Sequence, residues 1–255
     1  MRIATWNVNS VKVRLPLLLA WLEEAKPDVV CLQEIKCLAS DFPELELKGL
    51  GYHAELVGQK SYNGVALLAK ERPRDVIYAL PGDDTDTQAR YVEATVGDFR
   101  VASIYLPNGN PVGTDKYPYK LEWIGRLHAH AETLLEAETP TVLAGDYNVI
   151  PEEEDVYDPA AWREDALFRM ETRRAFRSLV NLGFTDGFRA IDPSPHRYTF
   201  WDYQAGRWQR DEGLRIDHLL LSPRAADRLV TAAIDKSPRA KDKASDHTPI
   251  WCELR

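Results

Sequence analysis

Polar side chains stand at the ends of several apolar runs in the chain, where they could share one site. Asn7, Glu34 and Asp146 each follow a run typical of a buried strand, whereas Asp217 and Asp246-His247 stand at the start of later runs. Charged groups beside buried strands cost free energy unless they are paired or bind a metal. Ligands bind sheet proteins at strand ends, so one shared site would explain the pattern, and scattered structural roles would explain it equally well.

The residue types indicate what chemistry such a site could perform. Carboxylate and amide oxygens predominate, and these are the ligands that Mg²⁺ and Mn²⁺ prefer. The chain contains neither a GxxxxGK[ST] phosphate loop nor a GxSxG nucleophile elbow. The residue types that remain are those of a hydrolase that activates water on a divalent metal. The donors are Asn7, Glu34, Asp146, Asn148, Asp217 and Asp246, together with His247.

Strands and helices alternate along the chain and must position these residues. Turn signals such as Tyr62-Asn63-Gly64 favour mixed sheets over a purely parallel one. Apolar periodicity predicts long helices at Tyr117–Glu136 and Pro159–Asn181, and a buried strand, Thr141–Ala144, that ends at Gly145. No Pro/Gly/Ser-rich linker divides the chain, so residues 1–255 are predicted to form a single α/β domain.

Composition narrows the class of protein further. The net charge of −8 is not typical of a nucleic-acid-binding protein, although local fields rather than the sum decide binding. The three cysteines favour a reducing compartment over a disulfide framework. We see no leader sequence and no apolar run of the roughly 18 residues that a membrane helix needs. The predicted location is the cytoplasm, without membrane association.

Three short motifs resemble the signatures of the endonuclease/exonuclease/phosphatase superfamily. They are Leu32-Gln33-Glu34, Gly145-Asp146-Tyr147-Asn148 and Ser245-Asp246-His247-Thr248-Pro249. Segments 5–10, 33–36, 105–109 and 199–203, with 214–217, are similar to the exonuclease III branch of AP endonucleases. This resemblance implies a four-layer, DNase I-like sandwich, in which two mixed β-sheets pack face to face with helices on the outside.

The resemblance also implies roles for individual residues. It makes Glu34 the main Mg²⁺ ligand with Asn7 nearby, and Asp146 the residue that orients or deprotonates the attacking water. Asn9 departs from the family pattern, because some members have an aspartate there. The implied metal site comprises Asn7, Glu34, Asp146, Asn148, Asp246 and His247; the implied catalytic residues are Tyr105, Asp146, Asn148, Asp217, Asp246 and His247.

Substrate contacts are predicted on both sides of these groups. Phe200, Trp201, Leu214 and Ile216 could wall a small apolar pocket for a sugar that lacks its base, and core packing is the alternative for the two aromatic residues. Lys36 and Asn108 are predicted to contact the substrate. Further basic residues could contact the DNA backbone or simply be solvated; they are Arg90, Lys116, Lys120, Arg173, Arg174, Arg177, Arg207, Arg210 and the cations between Lys236 and Lys243.

The implied function is a Mg²⁺-dependent DNA repair phosphodiesterase, with Mn²⁺ as a substitute metal. It would hydrolyse the backbone 5′ to abasic sites in duplex DNA and leave a 3′-hydroxyl. The same centre would act as a 3′–5′ exonuclease and a 3′-phosphatase. The expected partner is double-stranded DNA with abasic sites or 3′ ends, and the expected state is a monomer. The alternatives are an RNase or small-molecule phosphatase of the same superfamily, or an inactive DNA-binding module.

Overall fold

Two six-stranded mixed sheets form the centre of the computed structural model, which describes residues 1–255. The first sheet contains, in spatial order, β11 (Leu229–Ile234), β12 (Ile250–Leu254), β1 (Arg2–Asn7), β2 (Val29–Gln33), β4 (Val65–Ala69) and β3 (His53–Val57). The second contains β5 (Arg74–Ile77), β6 (Tyr91–Val96), β7 (Phe99–Tyr105), β8 (Thr141–Asp146), β10 (Asp217–Leu221) and β9 (Thr185–Asp186).

Each sheet contains one parallel pair of strands, β1 with β2 and β7 with β8, and every other pairing is antiparallel. The four parallel strands therefore end at one common edge of the sandwich. Because β10 and β12 run antiparallel to β8 and β1, they begin at that same edge. This arrangement brings together residues that follow some strands and residues that precede others.

Apolar side chains hold the sheets face to face. Ile3, Cys31 and Leu67 of the first sheet belong to the same buried cluster as Val142 and Leu219 of the second. Removing such side chains from water supplies about 25 cal/mol for each Å² of apolar surface. The four-layer sandwich of two mixed sheets is thus confirmed, with helices on both outer faces.

Helices cover both outer faces of the sandwich. They are α1 (Val11–Ala25), α2 (Glu44–Gly49), α3 (Lys116–Glu136), α4 (Pro159–Trp162), α5 (Met170–Asn181) and α6 (Pro223–Ala226). Leu18 and Leu22 of α1 pack with Trp6 on the first sheet, while Leu127 of α3 and Phe176 of α5 pack on the second. No helix combines the length and apolar character needed to cross a membrane.

The predicted helix Pro159–Asn181 is wrong, because the chain leaves the helix between α4 and α5. Asp165 accepts hydrogen bonds from the Leu167 amide at 2.8 Å and from the Asn110 side chain at 3.1 Å. These bonds compete with helical ones, as aspartate side chains often do in turns. Leu167 and Phe168 are buried in a separate apolar cluster, which draws the connecting segment inward.

Candidate active site

The predicted site residues converge at the edge where the parallel strands end. Within the second sheet, Tyr105 and Asp217 are the register partners of Asp146 on its two sides. Asn7 joins the two sheets, because its Nδ2 donates to Glu34 Oε1 at 2.8 Å and to Asp146 Oδ2 at 2.9 Å. The shared site that the sequence predicts therefore forms around the Asn7 amide.

Gly145 allows β8 to reach Asp146 in contact with β7. A side-chain Cβ at this position would lie 2.0 Å from the Ile104 carbonyl oxygen, so only glycine permits the close pairing. The predicted strand Thr141–Ala144 is too short by two residues, since β8 continues through Gly145 to Asp146. Asp146 is consequently held on regular sheet rather than on a loop, which limits its movement.

His247 lies between two buried carboxylates. Its Nδ1 donates to Asp217 Oδ2 at 2.8 Å, and its Nε2 lies 3.7 Å from Asp146 Oδ2. Burial alone would lower the pKa of the imidazole, but the charges of Asp217 and Asp146 outweigh it and raise the pKa to about 10. His247 is therefore an imidazolium at neutral pH. Both ring nitrogens carry protons, which favours a proton donor over the predicted metal ligand.

Asp146 has the electrostatic character of a group that can exchange a proton near neutral pH. Burial raises the pKa of its carboxyl to about 7, although the His247 charge opposes this shift. Its Oδ1 also accepts a hydrogen bond from the backbone N–H of Asn148 at 2.9 Å, which orients the carboxylate. A carboxylate fixed in this way can orient a water molecule and accept its proton.

Oxygen atoms of Glu34 and Asn9 form a cluster around the Lys36 ammonium group. The Lys36 ammonium lies 2.8 Å from Glu34 Oε2 and 2.6 Å from Asn9 Oδ1. Burial would raise the pKa of the Glu34 carboxyl, but Lys36 and the Asn7 amide outweigh it and lower the pKa. Glu34, Lys36 and Asn9 all have positive φ angles, at 50°, 54° and 43°. Strained backbone of this kind concentrates at functional sites.

This cluster fits a hard divalent cation. The Glu34 and Asp146 carboxylates both accept from Asn7 Nδ2 and supply the oxygen atoms here, whereas Asn7 Oδ1 accepts the Asn9 backbone N–H at 3.0 Å. Asp246 is linked to the cluster through Asn9, whose Nδ2 donates to Asp246 Oδ1 at 3.1 Å. Asp146, Asp217 and His247 also place ligand atoms within 4.8 Å of one another. His247 already pairs with those two carboxylates, as Lys36 pairs with Glu34, and Asp146 is linked to both groups.

Asn148 faces a different partner from the one predicted. Its Oδ1 accepts from Asn108 Nδ2 at 3.0 Å and its Nδ2 donates to the Leu106 carbonyl at 2.9 Å. Its amide oxygen accepts this one hydrogen bond, and its role as a metal ligand stays a prediction. Each NH₂ group has two protons, so both asparagines retain an N–H group that can contact a phosphate.

Tyr105 offers a neutral hydroxyl beside these amides. Burial and the charges of Glu34 and Asp146 raise its pKa well above the ordinary value. The Arg90 guanidinium lies 4.9 Å from the centre of the ring. The hydroxyl therefore remains protonated and can donate to an oxygen atom of a substrate.

The predicted apolar wall is mostly interior. Phe200 is half-buried with its ring centroid 5.0 Å from that of His247, whereas Trp201, Leu214 and Ile216 are buried. Trp201 donates from Nε1 to Asp211 Oδ1 at 2.9 Å and packs on Trp208. Core packing is therefore the interpretation that the structure favours for Trp201. Contact of these four residues with a substrate stays a prediction.

Two further residues near the site escaped the sequence analysis. Arg14 donates to the Asn9 carbonyl at 2.5 Å and to the Tyr203 hydroxyl at 2.8 Å, which ties together loops at the site. Arg215 is buried and donates to Asp155 and Asp186 at 2.7 Å each. No local pattern signals either role, since both depend on partners far away in the chain.

Most of the basic residues proposed for DNA contact already have partners. Arg173 and Arg177 pair with Glu152, and Arg207 and Arg210 with Glu212. Lys120 is fully buried, so its predicted contact with the DNA backbone is wrong. The side chain of Lys120 instead reaches carbonyl oxygens beneath the site.

A double-sheet sandwich with carboxylates, amides and one histidine at a common strand edge defines a class of phosphoester hydrolases. Residues 4–247 match the family model described as the endonuclease/exonuclease/phosphatase family. Exodeoxyribonuclease III of Haemophilus influenzae is 33% identical over the full length of both chains. The chain therefore belongs to the endonuclease/exonuclease/phosphatase family, within its exodeoxyribonuclease III group.

Solved structures agree with this assignment. An AP endonuclease from Archaeoglobus fulgidus is 37% identical with a TM-score of 0.96. The match covers 100% of this chain and 99% of the Archaeoglobus chain. A 3′ phosphatase from Neisseria, bound to a product DNA hairpin, is 38% identical with a TM-score of 0.98 and the same coverage. The predicted exonuclease III resemblance and the prediction of a hydrolytic nuclease are confirmed.

Proposed function

We propose that this protein is a divalent-metal-dependent DNA repair phosphodiesterase that cuts duplex DNA 5′ to abasic sites. The proposal includes 3′–5′ exonuclease and 3′-phosphatase activity at the same centre. The observation that carries it is the convergence of Asn7, Glu34, Asp146 and the Asp217–His247 pair at one strand edge. Similarity to an AP endonuclease and to a 3′ phosphatase that binds a DNA hairpin supports this choice of substrate.

The residues divide the work of hydrolysis among them. A cation held by Glu34 and Asp146, with Asn7 nearby, would neutralise the phosphodiester and polarise its P–O bond. Asp146 accepts a proton from the water that attacks phosphorus. As the bond to the 3′ oxygen breaks, the leaving oxygen takes up a proton and becomes a 3′-hydroxyl. Mg²⁺ is the proposed metal, and Mn²⁺ should substitute because it takes the same oxygen ligands.

The remaining polar groups stabilise charge that develops during the reaction. His247 stays protonated beside Asp217 and can donate to a phosphoryl oxygen. The free N–H groups of Asn148 and Asn108 can donate to the same phosphate, and the Tyr105 hydroxyl can donate to the leaving oxygen. Fixed donors of this type are typically worth a factor of about 10²–10³ each in rate.

Product analysis on one labelled duplex tests the proposal. The duplex carries a stable abasic analogue, and parallel substrates carry a recessed 3′ end and a 3′-phosphate. We expect incision 5′ to the analogue with a 3′-hydroxyl product, dependent on Mg²⁺ and abolished by a chelator. Hydrolysis of RNA or inositol phosphates without action on DNA would overturn the proposal. We also propose that residues 1–255 act as one catalytic domain, as a monomer, in the cytoplasm.

A further inference from the structure

Lys120 is a fully buried lysine directly beneath the candidate active site. It lies on α3, and its Nζ donates to the Asn108 carbonyl at 3.0 Å and to the Asn148 carbonyl at 2.5 Å. Burial lowers the pKa of this amino group to about 7, although the charges of Asp146 and Asp165 oppose the shift, and an amino group without hydrogen-bond partners would be costly to bury in either form. Because no part of the residue reaches solvent, Lys120 cannot contact a DNA phosphate directly, and its role must be exerted through the residues that it holds.

The two carbonyl groups belong to the turns that follow the two parallel strands of the second sheet. Asn108 lies just after β7 and Asn148 just after β8, and the Asn108 side chain donates to Asn148 Oδ1 at 3.0 Å. The Lys120 amino group therefore closes a ring of hydrogen bonds that joins both turns. Asn148 has a φ of 47°, a left-handed conformation that needs support from its surroundings.

The chain makes room for this lysine at a specific glycine. Gly109 has a φ of 88°, and a Cβ there would lie 2.7 Å from Lys120 Cδ. The turn after β7 is thus shaped around the lysine stem, in the segment Leu106-Pro107-Asn108-Gly109. Asn148 in turn supports Asp146, since the backbone N–H of Asn148 donates to Asp146 Oδ1 at 2.9 Å.

We infer that Lys120 is a positioning residue for the reaction: it holds the Asn108 and Asn148 amides in place at the scissile phosphate. The inference rests on the proposed function, because it assigns a role within that same site. A displacement of about 1 Å can lower a rate by about 100-fold. Loss of the Lys120 amino group, which donates to both carbonyls, should therefore lower kcat by about that factor, and should leave KM almost unchanged because the residue does not touch DNA.

Steady-state kinetics on abasic duplex DNA test this inference with Lys120→Met, which keeps the length of the side chain and removes the amino group that donates both hydrogen bonds. Lys116→Met is the matched contrast, since Lys116 lies one turn away on the same helix and is exposed. We expect Lys120→Met to lower kcat and Lys116→Met to act on KM and its salt dependence. A kcat within about threefold of the unaltered enzyme for Lys120→Met would overturn the inference.

A double-mutant cycle separates positioning from general stability. If Lys120 acts through Asn148, then Lys120→Met should cost less than about threefold in kcat in an Asn148→Ala background. Additive losses would overturn the inference. If Lys120→Met does not fold, as judged by its melting curve, Lys120→Arg replaces it in the same cycle. Failure of the proposed function is distinguishable, because the unaltered enzyme would then not cut the abasic duplex.

Discussion

Replacing Asp217 with asparagine would test how the site keeps its histidine charged. Asp217 is buried, its Oδ2 accepts the His247 Nδ1 proton at 2.8 Å, and its Oδ1 has no partner. Asparagine has the same shape, so its carbonyl oxygen can keep the bond while its Nδ2 takes the place of the unpartnered oxygen. Asp217→Asn should therefore remove one negative charge with little change in packing.

The expected effect follows from the charges around His247. Asp217 is the largest of the influences that raise the pKa of the imidazole to about 10. Since one neighbouring opposite charge changes a pKa by about 1–3 units, the pKa should fall by about that amount in the variant. By linkage, this fall in the pKa of His247 corresponds to a loss of about 1–4 kcal/mol in the free energy of unfolding near neutral pH.

The pH dependence of that loss has a definite sign. A pKa raised in the folded state stabilises the protein fully below the unfolded value of 6.5, and this stability disappears as pH rises through about 10. The unaltered protein should therefore exceed Asp217→Asn in free energy of unfolding near neutral pH. This difference in free energy of unfolding should shrink as the pH rises through about 10, the pKa of His247 in the unaltered folded protein.

Two measurements would check this reasoning. An NMR titration of the metal-free protein follows the histidine Cε1 protons, and the spectrum of His247→Gln assigns one of the six histidines. Denaturant unfolding at several pH values gives the stability difference. The reasoning is refuted if His247 titrates near 6.5 in the unaltered protein, or at the same pH with and without the Asp217 charge.

Three further substitutions probe the metal site, the strand edge and the buried ion pairs. Glu34→Gln removes the carboxylate at the centre of the oxygen cluster and should lower kcat/KM by about 10³-fold or more, with an unchanged melting temperature. Near-normal DNA cleavage by this variant would contradict the metal assignment. Gly145→Ala places a Cβ 2.0 Å from the Ile104 carbonyl and should cost about 1–3 kcal/mol or more in denaturant unfolding, with activity falling alongside; an unchanged unfolding midpoint would count against the close β7–β8 contact. Arg215→Met leaves Asp155 paired with Arg189 but removes the ion-pair partner of Asp186, and should cost about 3–5 kcal/mol in free energy of unfolding. The added change Asp186→Asn should restore part of that loss in denaturant unfolding, and no recovery would show that this pair is not the cause.

Local patterns in the sequence predicted most of the strands and the place of the site. The strand predicted to begin at Thr141 is found as β8, and the helix predicted at Tyr117–Glu136 is found as α3 with one further residue, because apolar runs and periodicity are properties of neighbouring positions. The polar residues after β1, β2 and β8 were visible for the same reason. The family resemblance supplied what periodicity could not, namely the face-to-face packing of the two sheets.

By itself, the sequence determined which oxygen and nitrogen groups the protein could bring to a strand edge, and hence the class of chemistry. Only the tertiary structure decided how those groups pair. Lys120 looks like any surface cation in the sequence, yet the fold buries it under Asn108 and Asn148. The charge on His247 likewise depends on Asp217 and Asp146, which lie far from it in the chain. Burial and ion pairing are set by neighbours in space, and spacing along the chain does not encode them.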